Sequence, residues 1–278
     1  MTTATPVANA RMYSVAPQVR TDWKTLLAWV LERAGLPWPV IDYDAPAPLS
    51  VLWARGDLGL VMMCGLPFAQ RVRPGQNAVP RPRLVAAPVP SPARYQGRAV
   101  YFTDIVVRAD APARTLEDTF GGTVGYTLAD SMSGGVALRH HLAPFHAARG
   151  GRLYTRAAGN LVHARGVIEA LARGEIDVGP LDSYCHDLLA LHDPAVASQV
   201  RTVATTQARP IPPLVATADT GEHAIAALRA ALKAAIAEPS LAAVRERLLL
   251  ADFAVPEASA YAPLADLAEQ TIPPFEEL

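Results

Sequence analysis

Residues 125–135 read Gly125-Tyr126-Thr127-Leu128-Ala129-Asp130-Ser131-Met132-Ser133-Gly134-Gly135, an extended piece that breaks into a Ser-x-Ser-Gly-Gly turn ahead of a helical stretch. A strand entering a helix through such a turn is the repeating step of an α/β protein. The turn also aims backbone N–H groups and two hydroxyls at one point. The free amides of a helix start carry partial positive charge and serine hydroxyls donate, so a phosphate, phosphonate or carboxylate fits there. Glycine at 134 and 135 lets such an ion approach the backbone. The same residues admit a second reading, in which Asp130, Ser131 or Ser133 only caps the helix. Spacing argues against two other chemistries. The chain has no Gly-x-x-x-x-Gly-Lys-Ser/Thr and no Gly-x-Gly-x-x-Gly after a strand, and no Gly-x-Ser-x-Gly surrounds Ser131 or Ser133.

Outward from this turn, 160–173 is helical with Val162, Val167, Ile168 and Leu171 inward, 178–181 is an apolar strand, and 182–191 is a helix. A second series lies upstream. It has a strand at 10–15, a helix capped by Asp22 with Trp23, Leu26, Leu27, Val30 and Leu31 at helical spacing, a strand at 40–43, a short helix opened by Pro48, and a continuous apolar strand at 58–64. The proline-rich stretch 70–94 (Pro74, Pro80, Pro82, Pro88, Pro90, Pro92) predicts irregular surface with a strand only at 84–87. After extended runs at 99–108, 200–205 and 214–216, helices at 223–237, 241–250 and 264–270 give an all-helical finish. The expected fold is α/β in two lobes with mostly parallel sheets flanked by helices. The lobes are 1–104 with 208–278, and 105–207, with a ligand cleft between them.

The chain has 278 residues, 51% of them hydrophobic and 18% charged, enough for a sizeable buried core. Its 25 basic residues against 26 acidic ones supply no net field to gather nucleic acid or an anionic membrane. No stretch reaches the roughly 18 apolar residues of a membrane span, which predicts no direct membrane insertion. No secretory leader is visible, so the sequence as it stands predicts the cytoplasm, and the periplasm where a leader has been trimmed. Cys64 and Cys185 match no metal or redox spacing and read as buried thiols. His140, His141 and His146 lack a zinc spacing and read as exposed helical histidines, so neither metal nor cofactor is expected.

The order of segments resembles a known family. The short Leu116-Glu117-Asp118-x-x-Gly121 segment, the Gly-Tyr-x-x-x-Asp-Ser-x-Ser-Gly loop, Gly159-Asn160-x-x-His163, Gly174-Glu175-Ile176-Asp177-Val178-Gly179 and Asp182-Ser183-Tyr184 are similar to the phosphate, phosphite and phosphonate substrate-binding proteins of ABC importers, which have the type 2 periplasmic-binding fold. The resemblance covers residues 11 to about 213 and is most specific between 116 and 184. It implies that Ser131, Ser133 and Gly134 hold an oxyanion, with Asp130 and Met132 in the same ligand-binding loop. It also implies that Asn160, His163, Asp182, Ser183 and Tyr184 contact the organic part or the second lobe, and that Tyr13, Cys64 and Gly65 complete the opposite wall. The family's Ser-Thr-Ser-Gly becomes Asp130-Ser131-Met132-Ser133-Gly134 here, and the added carboxylate predicts a less highly charged solute, a zwitterion or a carboxylate. The implied function is capture of a small anionic or zwitterionic solute by hinge closure, with an ABC permease as partner. Two alternatives are an enzyme on the same fold with Asp130 and His163 as its acid–base pair, and a ligand sensor.

Overall fold

A computed structural model describes residues 5–44, 47–75 and 81–278. The strands are β1 (Val7–Asn9), β2 (Leu58–Met62), β3 (Pro82–Pro90), β4 (Val100–Tyr101), β5 (Thr103–Arg108), β6 (Thr123–Gly125), β7 (Arg156–Ala158), β8 (Gly179–Asp182), β9 (Val200–Thr205), β10 (Arg209–Pro210), β11 (Leu214–Thr217) and β12 (Leu250–Ala254). The helices are α1 (Pro17–Arg33), α2 (Leu49–Trp53), α3 (Gly65–Val72), α4 (Ala137–Arg149), α5 (Ala164–Ala172), α6 (Ser183–His192), α7 (Pro194–Ala197), α8 (Glu222–Ala237), α9 (Ala242–Arg247) and α10 (Ala262–Glu269). They form two compact units, Met1–Val100 with Pro210–Pro263, and Tyr101–Arg209 with Leu264–Leu278.

The first unit is built on a sheet of order β1-β2-β11-β3-β12. β1 and β2 are parallel, while β11 runs antiparallel to both β2 and β3, and β12 antiparallel to β3. The expectation of mostly parallel sheets is therefore corrected. β2 and β3 do point the same way across α3, as alternation demands, but β11 is inserted between them and reverses both pairings. The strand expected at 10–15 does not form: β1 lies ahead of it at Val7–Asn9, and the Asn9 Oδ1 accepts the Arg11 N–H at 2.8 Å where 11–13 fold into a 3-10 turn. The helix expected from Asp22 starts instead at Pro17. Asp22 is buried within α1 and pairs with Arg247 of α9 at 2.6 Å. Of the strand expected at 40–43, only a bridge between Ala8 and Val40 forms.

The proline-rich stretch holds one strand of nine residues, β3, longer than expected; part of that stretch, 76–80, lies outside the described residues. Proline's fixed φ suits an extended chain, and Pro82 and Pro90 sit at the two ends, where a missing N–H is tolerated. The all-helical finish is also corrected. Leu249 adopts φ +49 and stops the α9 stretch, and β12 follows it.

In the second unit β5 lies between β8 and β9, antiparallel to both, and β6 runs parallel to β7. Its core gathers Ile105, Val107, Val124, Leu138, Leu142 and Val178. Phe275 and Leu278 are buried in the same cluster, so the tail Leu264–Leu278 belongs to this unit rather than to the lobe the sequence suggested. The Phe275 ring stacks on Tyr126 with centroids 4.4 Å apart and planes 13° from parallel, which docks the tail on the strand-to-helix loop.

Candidate functional site

The loop after β6 carries the densest chemistry of the second unit. Ser131, at φ −76 and ψ 129, caps a π-type turn over Met132–Val136, its Oγ accepting the Gly134 N–H at 3.2 Å. Its carbonyl accepts N–H groups from Gly135 at 3.0 Å and Val136 at 2.9 Å. The capping reading therefore holds for Ser131. Ser133 differs: it is partly exposed, and its hydroxyl makes no hydrogen bond among the described residues. The N–H groups of Met132 and Ser133 precede the first intrahelical bonds, so helix geometry supplies no acceptor for them. One hydroxyl and two amides thus converge at the head of the turn and α4, while the Met132 side chain is sealed inside with no exposure.

The two glycines serve a different purpose from the one expected. A Cβ on Gly134 would stand 1.7 Å from Thr127 Oγ1, and one on Gly135 would stand 2.4 Å from the Leu128 carbonyl oxygen. They let the loop fold onto its own helix start rather than admit an ion. Asp130 is exposed to water. At the dielectric of water a unit charge pair at 4 Å interacts by only about 1 kcal/mol, so the argument for a weakly charged solute loses most of its force.

Two further segments join this loop. Thr103 of β5 donates its hydroxyl to the Ser133 carbonyl at 2.9 Å and pairs with Asp182 across the β5–β8 ladder. Asp182 caps α6, its Oδ1 accepting the N–H groups of Tyr184 at 3.0 Å and Cys185 at 3.1 Å. Ser183 and Tyr184 expose no surface; the Ser183 Oγ accepts the Phe102 N–H at 3.0 Å, and burial pushes the Tyr184 phenol well above its usual range. The stretch 159–163 runs beside Tyr126, whose N–H donates to the Ala158 carbonyl at 3.0 Å and whose carbonyl accepts the Leu161 N–H at 3.3 Å.

Within 159–163, Asn160 has φ +59 and Val162 φ +66. That is why the helix expected from 160 begins only at Ala164. A β-branched residue in this left-handed region costs about 1–2 kcal/mol, and such strain gathers at ligand clamps. Val162 is also 53% exposed, so its side chain gains little burial in return. His163 is exposed and caps α5, Nδ1 accepting the Gly166 N–H at 3.0 Å, which leaves the ring proton on Nε2 as an outward donor. No hydrogen bond or ion pair joins Asp130 to His163 among the described residues.

In the first unit Tyr13 closes the turn after β1, Cys64 caps α3 after β2, and Gly65 is the first residue of α3. Since β1 and β2 are parallel neighbours, these residues share one edge of that sheet. All three are buried, and both cysteines are free thiols. His140, His141 and His146 are partly buried rather than exposed, and burial is the main cause lowering the pKa of His140 and of His141. Among the described residues no group of three His, Cys, Asp or Glu could hold a metal, and no helix is long and apolar enough to cross a membrane.

The supporting role of Thr103 and the strain at Val162 were missed from sequence. Thr103 sits in an unbroken strand pattern, and a valine carries no signal for a left-handed turn.

Two α/β units, with strand-to-helix loops collecting donors at strand ends, define a binding protein of the type 2 periplasmic-binding fold. A family model described as "ABC transporter, phosphonate, periplasmic substrate-binding protein" matches residues 13–261, and the chain belongs to that family. No curated protein matches the chain. Among solved structures, a binding protein component of an ABC phosphonate transporter from Pseudomonas aeruginosa is similar at TM-score 0.75 and 17% identity, covering 95% of this chain and 85% of that one. PhnD1 from Prochlorococcus marinus in complex with methylphosphonate is similar at TM-score 0.70 and 16% identity, covering 94% and 96%. A Xanthomonas citri protein bound to ATP is similar at TM-score 0.63 and 18% identity, covering 96% of each chain.

Proposed function

We propose that the chain is the solute-binding component of an ABC-type uptake system acting in the periplasm, and that its solute is a small phosphorus oxyanion of the phosphonate class. The observation that carries this reading is the head of the turn at Met132–Val136. There Ser131 is spent on capping, while the Ser133 hydroxyl and the amides of Met132 and Ser133 remain as converging donors. The His163 Nε2–H and Asn160 supply the neighbouring polar contacts, with Asp182 fixing the end of β8 beside them. The methylphosphonate complex of the Prochlorococcus marinus protein supports the ligand class. The partner is an ABC permease, and the protein itself performs no chemistry.

The test is a thermal-shift panel of phosphate, phosphite, methylphosphonate, aminoethylphosphonate and simple carboxylates, with native mass spectrometry of the purified protein. A ligand at one hundred times its dissociation constant stabilises the fold by about 2.7 kcal/mol. Selective stabilisation by one phosphorus oxyanion, lost in Ser133→Ala, is the expected result. Stabilisation by carboxylates alone, or a ligand bound equally well by Ser133→Ala, overturns it.

A further inference from the structure

The second unit contains a recess of about 410 Å³ that the strand-to-helix loop does not use, formed by one face of α4, the residues after β9, and α10. Residues Ala137, His140, His141 and Pro144 follow one another at helical spacing along that face of α4, opposite Thr206, Gln207 and Arg209, with Leu267 of α10 closing the side. Its volume lies within the range of small-molecule sites and well above what one inorganic oxyanion fills.

The polar groups around it are unbalanced. The Nε atoms of Arg209, which lines the recess, and of Arg139, which does not, are shielded from solvent without a hydrogen-bond partner; both side chains are partly exposed, and neither forms an ion pair among the described residues. An N–H shielded from water without an acceptor is costly, and a guanidinium whose other N–H groups stay accessible is well suited to a carboxylate or phosphoryl oxygen. Both arginines lie close enough to His140 to act on its charge, and the His140 Nε2 is held at 2.6 Å from the Leu267 carbonyl, which orients that ring at the rim. Glu117, the acid that acts on His141, forms no ion pair with either arginine. The remaining lining is apolar: Phe145, Pro144, Leu267 and Ala137.

We propose that this recess is a second binding site, for an organic anion whose oxyanion head meets Arg209 and Gln207 and whose apolar body lies against Phe145 and Leu267. It is distinct from the solute site at Ser133, because none of its lining residues belongs to the loop 125–135.

Benzoate serves as the probe and acetate as the comparator without an apolar body. Histidine-ring NMR of the labelled protein should show saturable shifts of His140 and His141 on adding benzoate, with acetate at least about tenfold weaker. Binding should be lost in Arg209→Met, which keeps the side-chain length but removes the charge, and in Leu267→Trp, which fills the recess. It should persist in Ser133→Ala. Absence of a saturable shift in the folded protein overturns the proposal. So does undiminished binding in a folded Arg209→Met or Leu267→Trp, or loss of binding in Ser133→Ala. Use of both variants guards against one of them failing to fold.

Discussion

The Thr103 hydroxyl donates to the Ser133 carbonyl at 2.9 Å, tying the central strand of the second unit to the residue whose own hydroxyl stands at the head of the turn before α4. Thr103 is 1% exposed and its N–H is already held by Thr206 Oγ1 at 3.0 Å, so the side chain has little freedom to turn elsewhere. Thr103→Val keeps the shape and removes the donor, leaving the Ser133 carbonyl short of a partner. We expect a stability loss of about 1–3 kcal/mol by urea unfolding, with weaker phosphonate binding by calorimetry. A variant with unchanged stability and affinity would mean that the turn holds itself.

Gly134 tests the self-packing of the loop. An alanine there sets its Cβ 1.7 Å from Thr127 Oγ1, with Thr127 Cβ at 2.8 Å behind it, so Thr127 cannot escape by rotating alone. Overpacking of this kind costs about 1–3 kcal/mol, and it displaces the helix start that carries the proposed binding amides. Thermal melts of Gly134→Ala should show the loss, and Thr127→Gly in the same chain should recover part of it. An unaffected melt for Gly134→Ala would show that the loop relaxes freely.

Val162 reverses the usual direction. Its left-handed φ of +66 and 53% exposure mean that Val162→Gly removes strain without removing a buried side chain. The gain of about 1–2 kcal/mol exceeds the roughly 0.5–1 kcal/mol by which glycine's extra freedom favours the unfolded chain. A net stabilisation is expected in denaturant titration. Ligand affinity should fall, because the stretch holding Asn160 and His163 is no longer fixed in one conformation. A destabilised Val162→Gly would show that the strain is absorbed elsewhere.

The loop at 125–135 was legible because its chemistry is local: a cap, a hydroxyl and two small residues sit next to one another in the chain. The strand-to-helix alternation was legible for the same reason. What the sequence hid depends on distant partners. The insertion of β11 between β2 and β3 reverses the sheet without leaving a mark on either neighbour's pattern. The tail's place in the second unit rests on Phe275 meeting Tyr126, 149 positions earlier in the numbering. Leu249 ends its helix in a left-handed conformation normally signalled by glycine or asparagine, so the strand behind it went unseen.

That tail contact makes a strong claim of its own. Phe275 is 3% exposed, belongs to the core cluster of the second unit, and stacks on Tyr126 at the start of the loop after β6. Phe275→Ala should cost about 3–5 kcal/mol in chemical unfolding and lower phosphonate affinity, since Tyr126 loses the surface that fixes it. A Phe275→Ala protein of normal stability would show that the tail is an ornament to this unit rather than part of its core.

The histidines of α4 predict how stability follows pH. His140 and His141 both have pKa values below the ordinary 6.5, burial being the first cause; for His140 the Leu267 carbonyl opposes the shift while Arg209 and Arg139 reinforce it, and for His141 Glu117 opposes it. The unfolded chain therefore takes up protons at these two positions before the folded one does. Stability from them is complete above the unfolded value and is lost as pH falls from about 6.5 down through the folded values. Unfolding free energies measured from neutral to mildly acid pH should decline across that range, and the decline should flatten in the double variant His140→Gln with His141→Gln. An identical slope in wild type and double variant would assign the acid sensitivity to other groups. A wild-type protein that gains stability as the pH drops would show that the imidazoles are better solvated than their place on α4 implies.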